Sequence, residues 1–529
     1  MNSASVVCTA SVPSTLTSTR RRNTVLKAAL LACALGLVAP GLRAADLFWD
    51  SNGATPGAGA TPTGIWGTDL FWNDLADGTG TLAAWTSGST AIFSAGTDAT
   101  TEFTVNIIAN QTVAGMLIQE GIAHFTNAAV TLGAGNITVN SGATLSTDSS
   151  LRINASPGAT LNVDGGTLRT TNPGAAGTFY DFDLAVTIGP GGATLSHVTT
   201  NILNIIQTTM TLSGPGGVTK VGQGVLAIAG TATYLGPTVI NDGELRIRTN
   251  PNRIPVGTAV TVNSPGILNL NSVSQQVGSL SGNGLVGLSG ATLTVGDATD
   301  TTFTGEIRNI ANAGATGVTT GNGRIIKTGP GSLTLTASNH YSGSLTVSNG
   351  SVTAASGSVL CDAICDVVVN GGTLNLSNTA QTVLTLSGSN GLVNLGTGHS
   401  LNVNPSSGTR AFYGNVAGDG VLRKTGGGTL GLFGNNTFTG ATTIDGGAVL
   451  AGSATALGST AVPTAVASGA SLLFDGPGSV FAIAEPVSIA GTGSGTLGSA
   501  IFIQNSANIT VNGPITLTGD ATIGVSGTA

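Results

Sequence analysis

Residues that could perform chemistry are few in this sequence and widely separated. Charged residues make up 8% of its 529 positions, and the four histidines stand singly, at His124, His197, His340 and His399. The acidic candidates are sparse: Asp297 with Asp300, Asp362 with Asp366, and Asp419 alone near Arg423. A polysaccharide hydrolase needs carboxylates that converge on one face, and a calcium-dependent lyase needs a denser acidic cluster. Acids this far apart are more often solvated turn residues, so we expect no catalytic, cofactor-binding or metal-binding residue.

The most regular candidate binding groups are three lysines, Lys220, Lys327 and Lys424. They lie 107 and 97 residues apart, and each begins the same pattern without a gap. Glycines follow at plus two, plus four, plus sixteen and plus twenty-three, and an aromatic residue follows at plus fourteen. These positions are Gly222, Gly224, Tyr234, Gly236 and Gly243; Gly329, Gly331, Tyr341, Gly343 and Gly350; and Gly426, Gly428, Phe438, Gly440 and Gly447. An ungapped register of this kind marks a repeated structural unit.

Each copy has the pattern of strands rather than of a binding site. Apolar residues alternate with small polar ones, as at Leu333 and Leu335 and then at Leu345 and Val347, which predicts strands with one buried face. The glycines turn the chain because they tolerate positive φ. We therefore predict that each copy forms two short strands joined by a tight corner, with its lysine in a shared turn role. One copy cannot bury its apolar face alone and must stack on its neighbours.

The pattern K-x-G-x-G-x-L, an aromatic residue and G-x-x-x-[VIL]-x-x-G resembles the autotransporter-associated beta strand repeat, or passenger-associated transport repeat, of bacterial surface proteins. Copies fall at about 214-247, 321-354 and 418-451, and weaker relatives begin at Val277 and Leu384. The resemblance implies an all-β fold, a right-handed parallel β-helix, in an autotransporter passenger domain at the cell surface. It implies no particular activity.

Composition agrees with a solenoid and argues against disorder. The chain contains 81 glycines and only 4% aromatic residues, yet its mean hydropathy is +0.33. Disordered chains combine low hydrophobicity with high charge. Stacked coils need little more than aliphatic side chains inside and turns outside. With coils of about twenty residues at about 4.8 Å spacing, residues 100-529 would form about 20 coils over about 100 Å.

Residues 1-44 have the pattern of a signal peptide. Arg20, Arg21 and Arg22 precede an apolar run at 28–39, which predicts a signal helix, and a cleavage site falls near Ala44. The run is too short to span a bilayer, so we expect no transmembrane helix in the mature chain. Ordinary secretion is favoured over the twin-arginine route because polar residues follow the arginines. Cys33 is interpreted as part of the apolar run rather than as a lipoprotein cysteine.

Removal of the signal makes the chain strongly acidic. Five of the 17 basic residues and none of the 24 acidic ones lie in residues 1-44. The mature chain then has 12 basic against 24 acidic residues, a net charge of −12 with histidine neutral. We therefore do not expect nucleic acid or anionic lipid surfaces as partners, because the chain lacks a basic stripe.

Two cysteines remain in the mature chain, Cys361 and Cys365 in VLCDAICDVVV. In an exported protein this spacing predicts a disulfide that closes a small loop. The alternatives are free thiols or a metal site, which would need two more ligands nearby.

Residues 45-99 contain all four tryptophans, Trp49, Trp66, Trp72 and Trp85. The first coil of a β-helix exposes apolar side chains and unpaired backbone groups, which large aromatic residues can cover. We therefore predict an aromatic N-terminal cap before a β-helix at 100-529. The alternative is a carbohydrate platform beside Asp50, Asn73 and Asp74.

The combined hypothesis is an exported cell-surface protein, structural or adhesive, that is associated with the outer membrane or released. Its repeats would assist vectorial folding during secretion, with the secretion and outer-membrane translocation machinery as partners and surface glycans or other cells as further candidates. The alternative is a polysaccharide-binding or polysaccharide-degrading β-helix. The sequence up to Ala529 shows no barrel strands of the kind that end an autotransporter. We therefore expect either a fragment or a product that is released or held by another protein.

Overall fold

The computed structural model describes residues 45–526 except 128, 149–151, 172–176, 179–183, 200–202, 207–208, 311–320, 356, 358, 378–379, 475–479, 496 and 505–507. The predicted signal peptide and its cleavage site near Ala44 lie outside the described residues. Residues 46–529 form one compact unit. Its described part is all strands and turns without a helix, so it contains no helical segment that could cross a membrane.

The unit is a parallel β-solenoid of about 18 turns, as the sequence predicted. A short strand runs along one side, turns a corner, and pairs in parallel with its equivalent in the next coil. Val218 pairs with Thr238 and Ser332 with Ser351, close to the predicted coil of about twenty residues. Longer coils also occur, as where Thr292 pairs with Arg324.

The order of strands along the chain defines three faces, which are numbered here in the order in which the chain visits them. The strands of face one fall in three consecutive sheets: Asp46–Trp49, Trp72–Asn73, Thr90–Phe93, Gly115–Ile118, Ile137–Val139, Thr160–Val163, Ala185–Ile188, Thr211–Ser213 and Thr231–Ala232; Gln275–Val277, Thr292–Val295, Arg324–Lys327, Ser344–Val347, Asp366–Val369 and Thr385–Ser387; and Thr409–Phe412, Thr429–Leu432, Gly447–Ala451, Ala470–Phe474, Ile501–Ile503 and Ile523–Val525.

Face two is dominated by one long sheet. Its strands are Gly64–Trp66, Glu102–Ile107, Ile122–Asn127, Thr144–Thr147, Gly166–Thr170, Ala193–His197, Val218–Val221, Thr238–Ile240, Ala259–Val262, Ser279–Gly282, Thr301–Phe303, Ser332–Leu335, Ser351–Ala354, Thr373–Leu376, Leu392–Leu395 and Asn415–Gly418, followed by the separate pair Val480–Ile483 and Asn508–Val511.

Face three completes each coil. Its strands are Gln111–Val113, Ala129–Leu132 and Arg152–Ala155; Gly177–Thr178, Leu203–Ile206, Val225–Ile228, Glu244–Ile247, Ile267–Asn269, Leu285–Gly287 and Glu306–Arg308; and Gln381–Val383, Ser400–Val403, Val421–Lys424, Thr442–Ile444, Thr464–Val466, Val487–Gly491 and Ile515–Ala521.

The core is one continuous stack of aliphatic side chains enclosed by the three faces. Leu333, Leu335, Leu345 and Val347 are all buried, which confirms the predicted inward alternation. Because every second residue of a strand faces inward, four-residue strands supply two core side chains each. Stacking of such pairs from coil to coil produces a core that needs few large residues.

The predicted boundary at residue 100 does not separate two folds. Leu47 pairs with Ala91, Ala91 pairs with Met116, and Gly64 pairs with Val105, all in parallel. The aromatic segment therefore forms the first coils of the same solenoid. The segment differs from the later coils at the end of the face-one sheet, where the strand Trp72–Asn73 pairs antiparallel with Asp46–Trp49.

Candidate functional site

The three repeated lysines lie at corners of the solenoid, and we call them the corner lysines. Each stands at or next to the end of a strand, in Val218–Val221, Arg324–Lys327 and Val421–Lys424. Their side chains are 0%, 2% and 0% exposed for Lys220, Lys327 and Lys424. A buried ammonium group requires hydrogen-bond acceptors, and the corners supply them from the backbone.

The ammonium groups donate to carbonyl oxygens at the turn. Lys220 Nζ donates to the carbonyls of Val221 (3.0 Å), Gly222 (2.6 Å) and, in the next coil, Asp242 (3.0 Å). Lys424 Nζ has the same set, formed by Thr425 (2.5 Å), Gly426 (2.9 Å) and Gly446 (3.0 Å). Lys327 Nζ donates to the carbonyls of Thr328 and Gly329, the latter at 2.9 Å. Two of the three lysines therefore join successive coils.

The glycine two residues after each lysine is required by the corner. Gly222, Gly329 and Gly426 have φ of 76°, 67° and 72°, in the left-handed region that disfavours side chains. A Cβ atom on any of them would lie 2.5 Å from a backbone oxygen of the preceding coil. The absence of a side chain thus lets the corner stack closely on the coil before it.

Burial lowers the pKa of all three corner lysines. It lowers the pKa of Lys220 and of Lys424 to about 8. Near Lys220, Asp242 and Glu244 oppose this effect. The pKa of Lys327 is also lowered by burial, with Asp297 and Asp300 acting in the opposite direction. At pH 7 the ammonium forms of Lys220 and Lys424 predominate, and each keeps its three N–H donors.

The aromatic residue of each copy fills the third side of the coil, where the chain forms little or no strand. Tyr234, Tyr341 and Phe438 are fully buried. The Tyr234 hydroxyl hydrogen bonds with Thr238 Oγ1 at 2.6 Å. Burial raises the pKa of both tyrosines. The Tyr341 hydroxyl makes no hydrogen bond to any residue that the structure describes.

The first copy contains five strands and the other two contain four each, rather than the predicted two. The first copy comprises Val218–Val221, Val225–Ile228 and Thr231–Ala232 in one coil and Thr238–Ile240 and Glu244–Ile247 in the next. The prediction allowed one corner per copy. The glycines at plus two and plus four and the glycine at plus twenty-three instead lie at the same corner in two successive coils, as Gly222, Gly224 and Gly243 show.

The three copies occupy three different corners of the solenoid. The corner of Lys220 joins face two to face three, that of Lys327 joins face one to face two, and that of Lys424 joins face three to face one. The lysine corner is therefore a local structural motif that can form at any of the three corners of a coil. The spacing of the lysines in the sequence did not predict which corner each one occupies.

Buried amide side chains at other corners were missed in the sequence. Asn339 and Asn436 lie twelve residues after Lys327 and Lys424, and their Oδ1 atoms accept from the backbone N–H of Ile307 (3.0 Å) and Val416 (2.8 Å). Gln275 likewise accepts from the N–H of Ile254 at 3.0 Å. The recurrence of asparagine at plus twelve in two of the three copies was a usable signal.

The acidic candidates do not converge. Asp297 accepts from the backbone N–H of Thr299 at 2.7 Å, and Asp300 from that of Ser332 at 2.8 Å. Other acids have separate partners: Asp362 with His340, Asp366 with the Thr385 hydroxyl, Asp419 with the Thr397 hydroxyl, and Arg423 with Asp445 rather than Asp419. Within the described residues, no three His, Cys, Asp or Glu side chains lie close enough to hold a metal ion.

Cys361 and Cys365 are buried, and their sulfur atoms are bonded to each other across a loop whose tip, Ala363 and Ile364, is exposed. The loop connects one coil to the strand Asp366–Val369 on face one. A disulfide in this position closes a loop within one coil and does not join coils.

The N-terminal tryptophans form a compact cluster. Trp49, Trp66 and Trp72 are at most 1% exposed. The Trp72 ring packs against those of Trp49 (5.2 Å), Trp66 (5.2 Å) and Trp85 (4.5 Å) between centroids. Stacking on a sugar needs an exposed ring face, which the three buried tryptophans lack. The proposed platform partners Asp50 and Asn73 are also buried and hydrogen bond to each other at 2.8 Å.

The fold and the corners define a parallel β-solenoid in which three corners each enclose a buried lysine. Residues 218–247, 325–354 and 422–462 match the passenger-associated-transport-repeat family, so the resemblance identified in the sequence is confirmed. The chain is also 32% identical, over 305 residues or 56% of its length, to the adhesin BmaC autotransporter of Brucella suis biovar 1 (strain 1330). The matched stretch covers 8% of that protein. No solved structure matches the chain.

Proposed function

We propose that this chain is an exported autotransporter-type passenger that acts at the cell surface, associated with the outer membrane or released, as an adhesive or structural rod. The observation that carries the proposal is the combination of three passenger repeats with a solenoid built from small residues. The similar Brucella protein is named an adhesin, which favours adhesion over a purely structural role. A non-enzymatic role agrees with acids that serve backbone turns one at a time.

In this proposal the repeats assist folding as the chain leaves the secretion and outer-membrane translocation machinery. Each coil contacts chiefly its neighbours, so folding can proceed from one coil to the next. Lys220 and Lys424 each donate to a carbonyl about 22 residues later, Asp242 and Gly446 respectively. The contact can therefore fix a newly exported coil to its neighbour, whichever of the two emerges first. This supplies a local step that favours forward transport.

Adhesion is tested with beads coated with the purified full chain and applied to monolayers of cultured epithelial cells. Beads coated with the same chain after heat unfolding are the matched control, because composition and charge are unchanged. We expect the folded chain to retain several times more beads on the cells. Equal retention of both bead types on every cell line would contradict an adhesive role and leave the structural one.

A further inference from the structure

Two aromatic rings stack on the outer surface of face one. Tyr413 and Phe433 follow the strands Thr409–Phe412 and Thr429–Leu432, whose last residues point into the core. Their ring centroids lie 4.7 Å apart with planes inclined by 22°. Tyr413 is 56% exposed, which is unusual in a chain with only four tyrosines.

The surface beneath the rings is shaped to hold them. A Cβ atom on Gly452 would lie 2.1 Å from the Phe433 ring, and one on Gly431 would lie 2.8 Å from it. Glycine at both positions therefore leaves the space that the ring occupies. Phe433 is thus held flat against its own coil and the next, and it supports Tyr413.

One face of the Tyr413 ring remains available. The centroid distance matches the spacing between adjacent coils, so the rings stack along the solenoid axis. The second face of Tyr413 is therefore turned toward the preceding coil, where the Tyr413 N–H donates to Gly388 and the next residue is Ser389. Ser389 is small and exposed, and its N–H donates to the Oδ1 atom of Asn370, one coil further back.

We propose that Tyr413 is the platform of a glycan-binding site that takes one neutral pyranose ring at a time. Stacking would bring the apolar C–H face of the sugar onto the exposed ring face, and the Ser389 hydroxyl and the Asn370 amide would hydrogen bond with its hydroxyl groups. An aromatic surface beside a few polar groups is the usual composition of a small-ligand site. The site deepens the adhesive role and rests on that proposed function, since it specifies the ligand class.

The surroundings favour a sugar over a peptide or a purely structural stack. The Ser389 hydroxyl donates to Asn370 Oδ1 at 3.5 Å, so the two side chains form a polar pair beside the ring. The Asn370 Nδ2 group can still donate to a sugar hydroxyl, whereas an apolar peptide side chain offers no acceptor for it. A stack that served only to stabilise the sheet would gain most from covering Tyr413 on both faces. Small residues at 387–389 instead leave one face open.

The site is tested by applying the full chain to an array of immobilised neutral cello-, chito- and laminari-oligosaccharides and measuring the affinity of each hit by calorimetry. We expect at least one oligosaccharide to bind, Tyr413→Ala to weaken it by roughly tenfold, and Tyr413→Phe to retain it. Leu235→Ala, which removes another exposed apolar side chain at 80% exposure, is the matched control and should change nothing. Unchanged thermal melting of the Tyr413→Ala variant confirms that its fold is intact.

Each outcome separates this inference from the adhesive role. Absence of binding to every oligosaccharide, or binding that Tyr413→Ala does not weaken, overturns the glycan site. Binding of apolar peptides but not of sugars at Tyr413 overturns it in favour of a peptide ligand. If beads still adhere to cells in either case, adhesion stands without the site. If sugars bind through Tyr413 while beads do not adhere, the site stands and adhesion fails.

Discussion

The N-terminal coils, residues 46–99, bury large aromatic rings, whereas the corners in the middle of the solenoid bury single ammonium groups. Trp72 packs against three other tryptophans and needs little exact hydrogen bonding. Lys424 is equally buried, but every N–H donor must meet a backbone carbonyl. The comparison shows two ways to stabilise a coil of the solenoid, one by apolar packing and one by hydrogen bonds to a buried cation. Apolar cover tolerates irregular geometry, while a buried cation demands one defined turn.

The largest effect is expected at the aromatic end. Replacement of Trp66 and Trp72 by Ala removes two buried rings, each worth about 3–5 kcal/mol, so the first coils should open. Their exposed strand edges should then promote association. Sedimentation velocity should detect oligomers, and proteolysis should begin within residues 46–93. A monomer with unchanged melting would contradict the role of these rings as a cap.

The next largest effect is a difference in stability between two lysine variants, Lys220→Met and Lys327→Met. Lys220→Met keeps the length of the side chain but removes the Nζ donor from three partly buried carbonyls, at a cost on the order of 1–3 kcal/mol. Lys327→Met removes the donor from two carbonyls and should cost less. Limited proteolysis should cut the Lys220 variant faster than the Lys327 variant. Arg410→Met, at an exposed cation, is the control, and equal rates for all three would contradict the account.

A smaller, pH-dependent effect is expected from a buried acid near the C-terminal coils. Burial raises the pKa of Glu485 to about 7, and the Thr464 hydroxyl donates to its Oε1 atom at 2.7 Å. The folded protein therefore binds the proton more tightly than the unfolded chain. Stability from this group is complete below about pH 4.5 and is lost as the pH rises to about 7.

Glu485→Gln should abolish that loss, because the amide stays neutral and nearly isosteric. At pH 7 the variant should be more stable by on the order of 1–3 kcal/mol, and at pH 4 it should match the parent. Thermal melting across this pH range provides the measurement. The exposed Asp74→Asn substitution is the control. A parent and variant with parallel pH profiles would exclude Glu485 as the titrating group.

The smallest effect concerns the buried tyrosines of the repeats. Tyr234→Phe loses the hydrogen bond with Thr238 and should cost about 1 kcal/mol. Tyr341→Phe should be neutral, because the Tyr341 hydroxyl has no hydrogen-bond partner among the described residues. The third copy already carries phenylalanine, at Phe438. Denaturant unfolding of the two variants measures both losses in stability. A larger loss for Tyr341→Phe than for Tyr234→Phe would contradict the prediction.

The periodicity of the sequence was sufficient to predict the fold, but it was not sufficient to predict the structure of the lysine corners. The alternation at Leu333 and Leu335 predicted strands and their buried face because inward positions in a strand repeat every second residue. The shared position of the lysines predicted a turn role. Their burial among carbonyls did not follow, since lysine is usually exposed and the acceptors come partly from the next coil.

The placement of the copies also lay beyond sequence reasoning. Coils vary in length, as the pairs Ser332 with Ser351 and Thr292 with Arg324 show. A spacing of about 100 residues therefore cannot be converted into a whole number of turns, nor into a particular corner. The Tyr413 stack was missed for a related reason, because Phe433 becomes its neighbour only through the pairing of successive coils.

Amide hydrogen exchange of the Lys424→Met variant tests the central claim, that Lys220 and Lys424 each hold two successive coils together. The relevant amides are those of Gly428, Asp445 and Ala448, which donate to Pro405, Lys424 and Gly428. We expect their exchange to accelerate by roughly tenfold or more, while amides around the Lys220 corner keep their rates. Unchanged exchange at all three amides would contradict the claim. It would mean that the glycines alone fix the conformation of the corner and that Lys424 does not stabilise it.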